Sequence, residues 1–493
     1  MQPQRQSPSA AVRSAAPNAK TLGELRATGH QFATVKDEIR HNLIAKLRAG
    51  EDPFPGILGF DHTVRPHLER ALIAGHDVIL LGERGQGKTR LIRTLTGLLD
   101  EWSPAITGCE ISDHPYAPVC VRCQRLAAEM GDELPVTWRH RDLRYGEKLA
   151  TPDTSVGDLI GDIDPVKVAE GRTLGDPETI HYGLVPRTNR GVFCLNELPD
   201  LAERIQVSLL NVLEERDIAV RGYALRLPLD LVLVASANPE DYTNRGRIIT
   251  PLKDRFGAEI RTHYPLSLDD ELAVVWQEAE IAWGTTPNHG ALDHGDSPDA
   301  VLPTHLVEVI ARFTRLVRSS PAVDARSGVS ARFAIAAAEA VVAAAVRRAA
   351  IAGEDQPVAR ICDLPAVVIT LRGKVEFEVS EEGREGEVLE HLLRRATADT
   401  FRAHLGSADL SGLVARFAEG ETVESSDLLP AAELLRRIGE VPGLAKIMER
   451  LDGDGGESFG QAAAALEFAL EGLYLMRRLS KDVVDGSAVY RSS

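Results

Sequence analysis

Cysteine is scarce and unevenly placed. Of five in the chain, three fall close together at Cys109, Cys120 and Cys123, and the other two, Cys194 and Cys362, stand alone. A secreted disulfide scaffold spreads an even number along a short chain, so that class is excluded. Positive charge is also in deficit: 56 basic residues against 73 acidic ones leave a formal net charge of −17. This argues against a protein that coats nucleic acid in general. Long apolar runs are missing too. The most apolar stretch, FAIAAAEAVVAAAVRRAAIA, is interrupted by Glu339, Arg347 and Arg348, so no membrane span is expected. The opening MQPQRQSPSAAVRSAAPNAK lacks the apolar run of a signal peptide, and a cytoplasmic location is the expectation.

What is present is organised. A chain of 493 residues has room for about two to four domains. Residues 1–20 are rich in Ser, Pro, Ala and Gln and read as a disordered tail. Val35, Ile39, Leu43 and Leu47 recur at four-residue intervals and predict a helix over 21–50. After the breaker DPFPG come a helix at about Val64–Ala74, the strand DVILLG, a glycine loop and the helix TRLIRTLTGLLDE. PVTWRH, GVFCLN and LDLVLVASA predict further strands. The expectation is an α/β core over 51–265, a parallel sheet flanked by helices, with a cysteine-containing insertion at about 103–133. Beyond it, SLDDELAVVWQEAEIAW, THLVEVIARFTRLVRS and SARFAIAAAEAVVAAAVRRAA predict an all-helical lid over 266–375, the first and third opening at serine caps. Residues 376–493 turn charged and read as mostly helical. The stretch DGDGGES has alternating aspartates but lacks the fifth-position ligand and sixth-position glycine of an EF-hand, and reads as a loop.

The glycine loop, GERGQGKT, matches G-x-x-x-x-G-K-[ST] in full. Gly82, Gly85 and Gly87 allow backbone N–H groups to turn around phosphate oxygens, with Glu83, Arg84 and Gln86 between them. Lys88 places a charge on the β- and γ-phosphates, and Thr89 is positioned to ligate Mg²⁺ at the start of a helix. An apolar strand before it and an amphipathic helix after it supply the required context. Nucleotide binding follows.

The strand GVFCLN runs into Asn196 and Glu197, where many ATPases place a magnesium-side aspartate and a catalytic glutamate. An amide at 196 still accepts a hydrogen bond but brings no charge, so weaker Mg²⁺ binding or slower turnover is expected. A third strand ends in Asn238, and NRGRIITPLKDRF follows with its arginines.

GERGQGKT, LIGDID, IHYGLVPRTNRGVFCLNE, ASANPEDY, TPLKDRF and SGVSAR occur in the order found in AAA+ ATPases. Over roughly residues 55–350 the chain resembles the magnesium-chelatase I-subunit/MoxR branch. The resemblance implies that Glu197 polarises the attacking water, that Asn238 orients it as sensor 1, and that Arg255 is an arginine finger acting on the neighbouring subunit's nucleotide, with Arg247 in reserve. Arg332 would be sensor 2. ATP and Mg²⁺ are the implied cofactors, with Asn196 beside the Mg²⁺. A ring, by family expectation a hexamer, is the implied assembly. Its client would be a protein to be remodelled or assembled, of the von Willebrand A-domain kind relatives often use. A magnesium-chelatase ATPase subunit proper and a nucleotide-gated scaffold with little turnover are the rival readings. A GAFTGA-like loop of the kind a sigma-54 activator needs is not found.

The cysteine cluster reads Cys109-x4-His114-x5-Cys120-x2-Cys123, four soft or borderline ligands at a spacing suited to structural Zn²⁺, with Asp113 as substitute for His114. A redox pair at Cys120 and Cys123 and three unconnected thiols are the alternatives.

Overall fold

The computed structural model describes residues 14–170, 179–214, 218–220, 223–225, 227–238, 247–279, 300–324, 328–418, 420–439, 441, 443–452, 458–484 and 487–492. The chain divides into two compact units, one ending at His263 and the other beginning at Tyr264.

Five segments build the centre of the N-terminal unit: β1 (Val78–Leu81), β2 (Tyr145–Leu149), β3 (Gly191–Asn196), β4 (Leu231–Ala237) and β5 (Ala258–Arg261). They form one parallel sheet in the order β5-β1-β4-β3-β2. Strands β1, β3 and β4 are buried along their whole length, as a sheet covered on both faces requires. Alternate side chains serve opposite faces. Val78, Leu80, Val192, Cys194, Val232 and Val234 share a core with Val35, Ile39 and Leu43 of the helix Val35–Ala49. Ile79, Leu81, Phe193, Leu195, Leu233 and Ala235 share another with Ile205 and Leu209 of the helix Glu203–Glu214.

Three expectations need correction in this unit. Val136–His140 does not join the parallel sheet. It pairs antiparallel with Trp102–Ile106 in a separate two-stranded sheet that frames the cysteine insertion, and YGEKL takes the vacant edge as β2. Second, residues 21–50 are two helices, Leu22–Ala27 and Val35–Ala49, parted where Gly29 adopts φ 76°. Third, residues 14–20, read as part of a disordered tail, run beside the insertion. Val136 N donates to Lys20 O at 2.8 Å, and Trp138 Nε1 donates to Ala19 O at 2.9 Å. The start of that tail, residues 1–13, lies outside the described residues. A buried ion pair joins the helix Val35–Ala49 to the approach to β2: Arg144 grips Glu38 through two nitrogens at 2.6 and 2.7 Å.

In the C-terminal unit, Leu268–Glu278, Thr304–Arg318, Ala331–Ala352, Pro365–Leu371, Glu385–Leu405 and Phe459–Leu475 are helices around one core. Every residue from Ala463 to Leu473 is buried, which places the last helix at its centre. Ser267 caps the first helix by accepting from Asp270 N at 3.0 Å. Ser330 occupies the cap position of Ala331–Ala352 but makes no capping bond through its side chain. A small antiparallel sheet, unforeseen in a stretch that reads as helical, joins Val423–Ser425 and the closing strands Leu479–Val484 and Ser487–Ser492. The heart of DGDGGES, 453–457, lies outside the described residues.

Gly472 shows how tightly this core is packed. A Cβ there would lie 1.9 Å from the Phe401 ring. Gly472→Ala should therefore destabilise the unit by about 1–3 kcal/mol through overpacking, seen as a lower thermal midpoint. A raised midpoint would show that the ring yields and that helix propensity prevails.

Candidate functional site

Parallel strands carry their C-terminal ends to one edge, so the residues following β1, β3 and β4 gather there. Leu81 of β1 is in register with Ala237 of β4, and Gly82 N donates to Ala237 O at 3.1 Å. The glycine loop thus leaves the sheet beside Asn238. A Cβ at Gly82 would stand 2.0 Å from Thr262 Oγ1 and 2.2 Å from Gln86 Oε1, which bond each other at 2.7 Å. Space requires glycine at this point. Gly85 and Gly87 instead need glycine for their backbone, with φ 72° and 76°. Glu83 and Arg84 stand at the loop's more open side. Buried Lys88 turns its ammonium into the loop, donating to the carbonyls of Gly82 and, at 2.8 Å, Glu83.

Asn196 ends β3 inside a web of side chains. Its Oδ1 accepts from Ser236 Oγ at 3.0 Å and from Thr89 Oγ1 at 3.3 Å, while its Nδ2 donates to Glu147 Oε1 at 2.9 Å. A carboxylate only accepts, so Glu147 fixes the orientation of the amide: NH₂ toward β2, oxygen toward Thr89. Glu147 is itself held by Arg93, at 2.9 and 3.1 Å, and by the Tyr145 hydroxyl at 3.0 Å. Burial works to raise its pKa, but the hydrogen bonds from Arg93 and Tyr145 and the Arg93 charge outweigh it and hold the carboxyl below its ordinary range. A negative charge therefore stands one hydrogen bond behind the neutral residue 196. Sequence reasoning missed both Glu147 and Ser236. Ser236 lies two places before Asn238 in an apolar run, and Glu147 becomes relevant only through the pairing of β2 with β3.

Glu197 departs from the strand at φ 55°, a left-handed backbone unusual for a residue with a side chain, and its N–H faces Ser236 Oγ at 3.4 Å. Such a conformation costs of order 1–3 kcal/mol and persists where surroundings enforce it. Asn238 is buried at the end of β4; the segment after it, 239–246, lies outside the described residues. The sheet edge thus assembles the glycine loop, Thr89, Asn196, Glu197 and Asn238. The two arginines of the same unit are engaged differently. Arg255, ending the helix Thr250–Arg255, is exposed and ion-paired with Glu214. Arg247 is exposed, and its carbonyl accepts from Gln206 Nε2 at 3.0 Å. Arg332 belongs to the C-terminal unit, in the first turn of Ala331–Ala352.

The insertion gathers a second group. Cys109, Asp113, Cys120 and Cys123 each present a donor atom, all within 4.8 Å of one another. His114 is absent from this group, which corrects its place in the expected ligand set. Its Nδ1 accepts from Tyr116 N at 3.0 Å and its Nε2 faces His30 Nε2 at 3.4 Å. Ser112, at φ 56°, turns the chain so that neighbours 113 and 114 serve different surroundings, and the ring of His114 lies against Phe32 and Tyr116. Hydrogen bonds from Cys120 and Cys123 draw the Cys109 thiol strongly down toward thiolate, while Cys120 is pushed up.

Parts of the chain have counterparts in known proteins. A family model described as the sigma-54 interaction domain matches residues 173–255. The magnesium-chelatase 38 kDa subunit of Rhodobacter capsulatus is 30% identical over 227 residues, covering 45% of this chain and 59% of that protein. The magnesium-chelatase subunit ChlI of Nostoc is 30% identical over 235 residues, covering 46% and 59%. The nucleotide core is thus similar to the AAA+ modules of magnesium-chelatase I subunits. A solved complex of the magnesium-chelatase subunits BchI and BchD aligns with 68% of this chain and 98% of that one, at 20% identity and a TM-score of 0.34. The chain spans about three-fifths of the length of the curated relatives it matches.

Within the nucleotide core, Gly82→Ala should weaken ATP binding roughly tenfold or more, equivalent to about 1.4 kcal/mol, because Thr262 and Gln86 must both give way. Titration with a fluorescent nucleotide measures this. Unchanged affinity would mean that the packing around Gly82 plays no part in binding.

Proposed function

We propose that the protein is a Mg²⁺-dependent ATPase that works as a ring and uses hydrolysis to remodel or assemble a protein partner. The observation that carries this reading is the convergence of Thr89, Asn196, Glu197 and Asn238 on the edge where the glycine loop leaves the sheet. In this reading the loop's N–H groups and Lys88 hold the phosphates of ATP. Thr89 and Asn196 would hold the metal, and their oxygens, 3.3 Å apart, are a fitting pair of neutral donors for a hard cation. When bound, Mg²⁺ neutralises charge on the β- and γ-phosphate oxygens. The Glu197 carboxylate takes the proton of the attacking water, and Asn238 orients that water. Arg255, exposed at its helix end, serves a neighbouring subunit's site, and Arg332 is assigned the sensor role on the lid. A MoxR-like hexamer whose client carries a von Willebrand A-type domain, as the family resemblance implies, is the corresponding assembly; the outward faces of the N-terminal helices and of residues 376–493, which the motifs do not use, are the proposed partner surfaces.

The magnesium-chelatase relatives favour a second reading, the ATPase subunit of a metal chelatase. Porphyrin-dependent stimulation of turnover, measured with candidate partner subunits, separates it from the first.

Steady-state hydrolysis tests the principal reading. Glu197→Gln should abolish turnover while leaving ATP bound. Absence of turnover in the wild type across Mg²⁺ concentrations, with and without partner, would replace the motor by a nucleotide-gated scaffold. Trans action is tested by mixing two inactive variants, Glu197→Gln and Arg255→Ala. Mixed rings contain interfaces with both groups intact, so activity should reappear, whereas a finger acting within its own subunit gives none.

The Asn196–Glu147 bond yields a separate expectation. Asn196→Asp alone sets two carboxylates 2.9 Å apart, and such a pair retains a shared proton. Turnover should change little. The exchange Asn196→Asp with Glu147→Gln moves the charge to the metal side and should raise activity or lower the Mg²⁺ requirement. Equal gains from the single and double variants would remove Glu147 from the account.

A further inference from the structure

The insertion between Trp102–Ile106 and Val136–His140 is too short to build a core of its own. Segments below about 40 residues usually need a disulfide, a metal or a partner to hold their shape. This one carries three cysteines, all free thiols in the structure, and they converge with one carboxylate. We infer that Cys109, Asp113, Cys120 and Cys123 form a structural zinc site, with Asp113 and not His114 as the oxygen or nitrogen ligand.

Three independent features carry the inference. The first is geometric. Ligands about 2.1–2.3 Å from a common tetrahedral centre lie roughly 3.5–3.8 Å from each other, and the four donor atoms already lie within 4.8 Å. A modest contraction completes the site. The second is an orphaned atom. Asp113 is fully buried; its Oδ2 accepts from Val119 N at 3.0 Å and Cys120 N at 2.8 Å, while its Oδ1 has no hydrogen-bond partner. An unsatisfied buried acceptor costs about 1–3 kcal/mol, more if charged, and a cation among the thiols would satisfy it. The third is support behind the ligands. Asp113 N donates to Cys109 Sγ at 3.3 Å and Cys123 N donates to Cys120 Sγ at 3.4 Å, so backbone donors favour negative charge on the sulfurs and fix their direction.

The site's purpose is read from what it joins. Cys109 and Asp113 stand on the loop leaving Trp102–Ile106, whereas Cys120 caps the helix Val121–Met130 and Cys123 lies in its first turn. Zinc would staple the loop to the helix. Cys120 and Cys123 also belong to the same apolar core as Ile160, Ile180 and Val185, so the staple anchors the insertion on the module body. Three thiolates favour zinc over the oxygen-seeking Mg²⁺ of the nucleotide site. The staple is structural, since all four ligand positions are filled from the protein and none is left for a reacting water.

Metal analysis of the full chain, purified without added metal, should find about one zinc per chain. Replacement by Co²⁺ should give the intense visible bands of a tetrahedral thiolate site. Asp113→Ala should shift those bands and weaken metal binding roughly 10-fold or more, while His114→Ala should leave spectrum and stoichiometry as in the wild type. Loss of metal in His114→Ala with retention in Asp113→Ala would overturn the ligand assignment. A chain without stoichiometric metal that binds no Co²⁺, or that forms a Cys120–Cys123 disulfide instead, would overturn the site. The Co²⁺ spectrum of the wild-type chain keeps the test decisive if a cysteine variant fails to fold, and none of these measurements depends on ATP turnover.

Discussion

The side-chain amide of Asn196 is the contact on which the nucleotide edge turns. It lies between Thr89 of the glycine-loop helix, Ser236 of β4 and Glu147 of β2, so one residue ties three neighbouring elements of the sheet edge together. An aspartate there could accept from Thr89 and Ser236 but would repel Glu147. The amide resolves that conflict because its two ends have opposite hydrogen-bonding character. The neutral residue at 196 is therefore matched to its surroundings, and the missing charge has moved one strand over, where Arg93 and Tyr145 hold it. The altered position is half of a coupled pair, and its part in the proposed hydrolysis has to be judged for the pair.

The same logic of shared partners governs the backbone. Parallel pairing of β1 with β4 sets Gly82 against Ala237, which places the glycine loop and Asn238 side by side without any direct contribution from their side chains. Glu197 then turns out of the β3 alternation through a left-handed residue. Strain of that kind needs a rigid frame, and the frame is a sheet buried on both faces. The Arg144–Glu38 pair, buried with its donors satisfied, locks the N-terminal helix over that sheet. Removing one member of such a pair typically costs about 3–5 kcal/mol because the other charge is left stranded.

The insertion follows a different principle. Its two strands pair antiparallel outside the main sheet, and its buried apolar residues, Ile111 and Leu134, join the core of the module body instead of forming one of their own. Cysteines and one aspartate gather where a larger module would place leucines. The tail at Ser14–Lys20 runs beside the same two strands, accepting from Trp102 and Trp138 through Ser14 and Ala19 and from Val136 N through Lys20.

Local chemistry was legible in the linear order of residues. The glycine loop, the apolar strands β1, β3 and β4, the long helices of the C-terminal unit and the cysteine cluster all declare themselves by spacing, because each is defined by neighbours within a few positions. What depends on contacts between distant segments was not legible. YGEKL is a strand because an edge of the sheet was available to it, although its side chains are too polar to announce it. VTWRH has a better strand pattern, yet it pairs elsewhere because its partner lies just upstream. Asp113 and His114 are adjacent in sequence, and spacing favours His114 with Asp113 as its substitute; the backbone turn at Ser112 reverses that order by setting Asp113 among the thiols. Glu147 acquires its role solely through register with β3. The chain alone determined which chemical groups were present and what local conformations they preferred, since those follow from covalent neighbours. Tertiary structure decided which groups meet, since hydrogen-bond partners and charges act over a few ångströms of space whatever their separation along the chain.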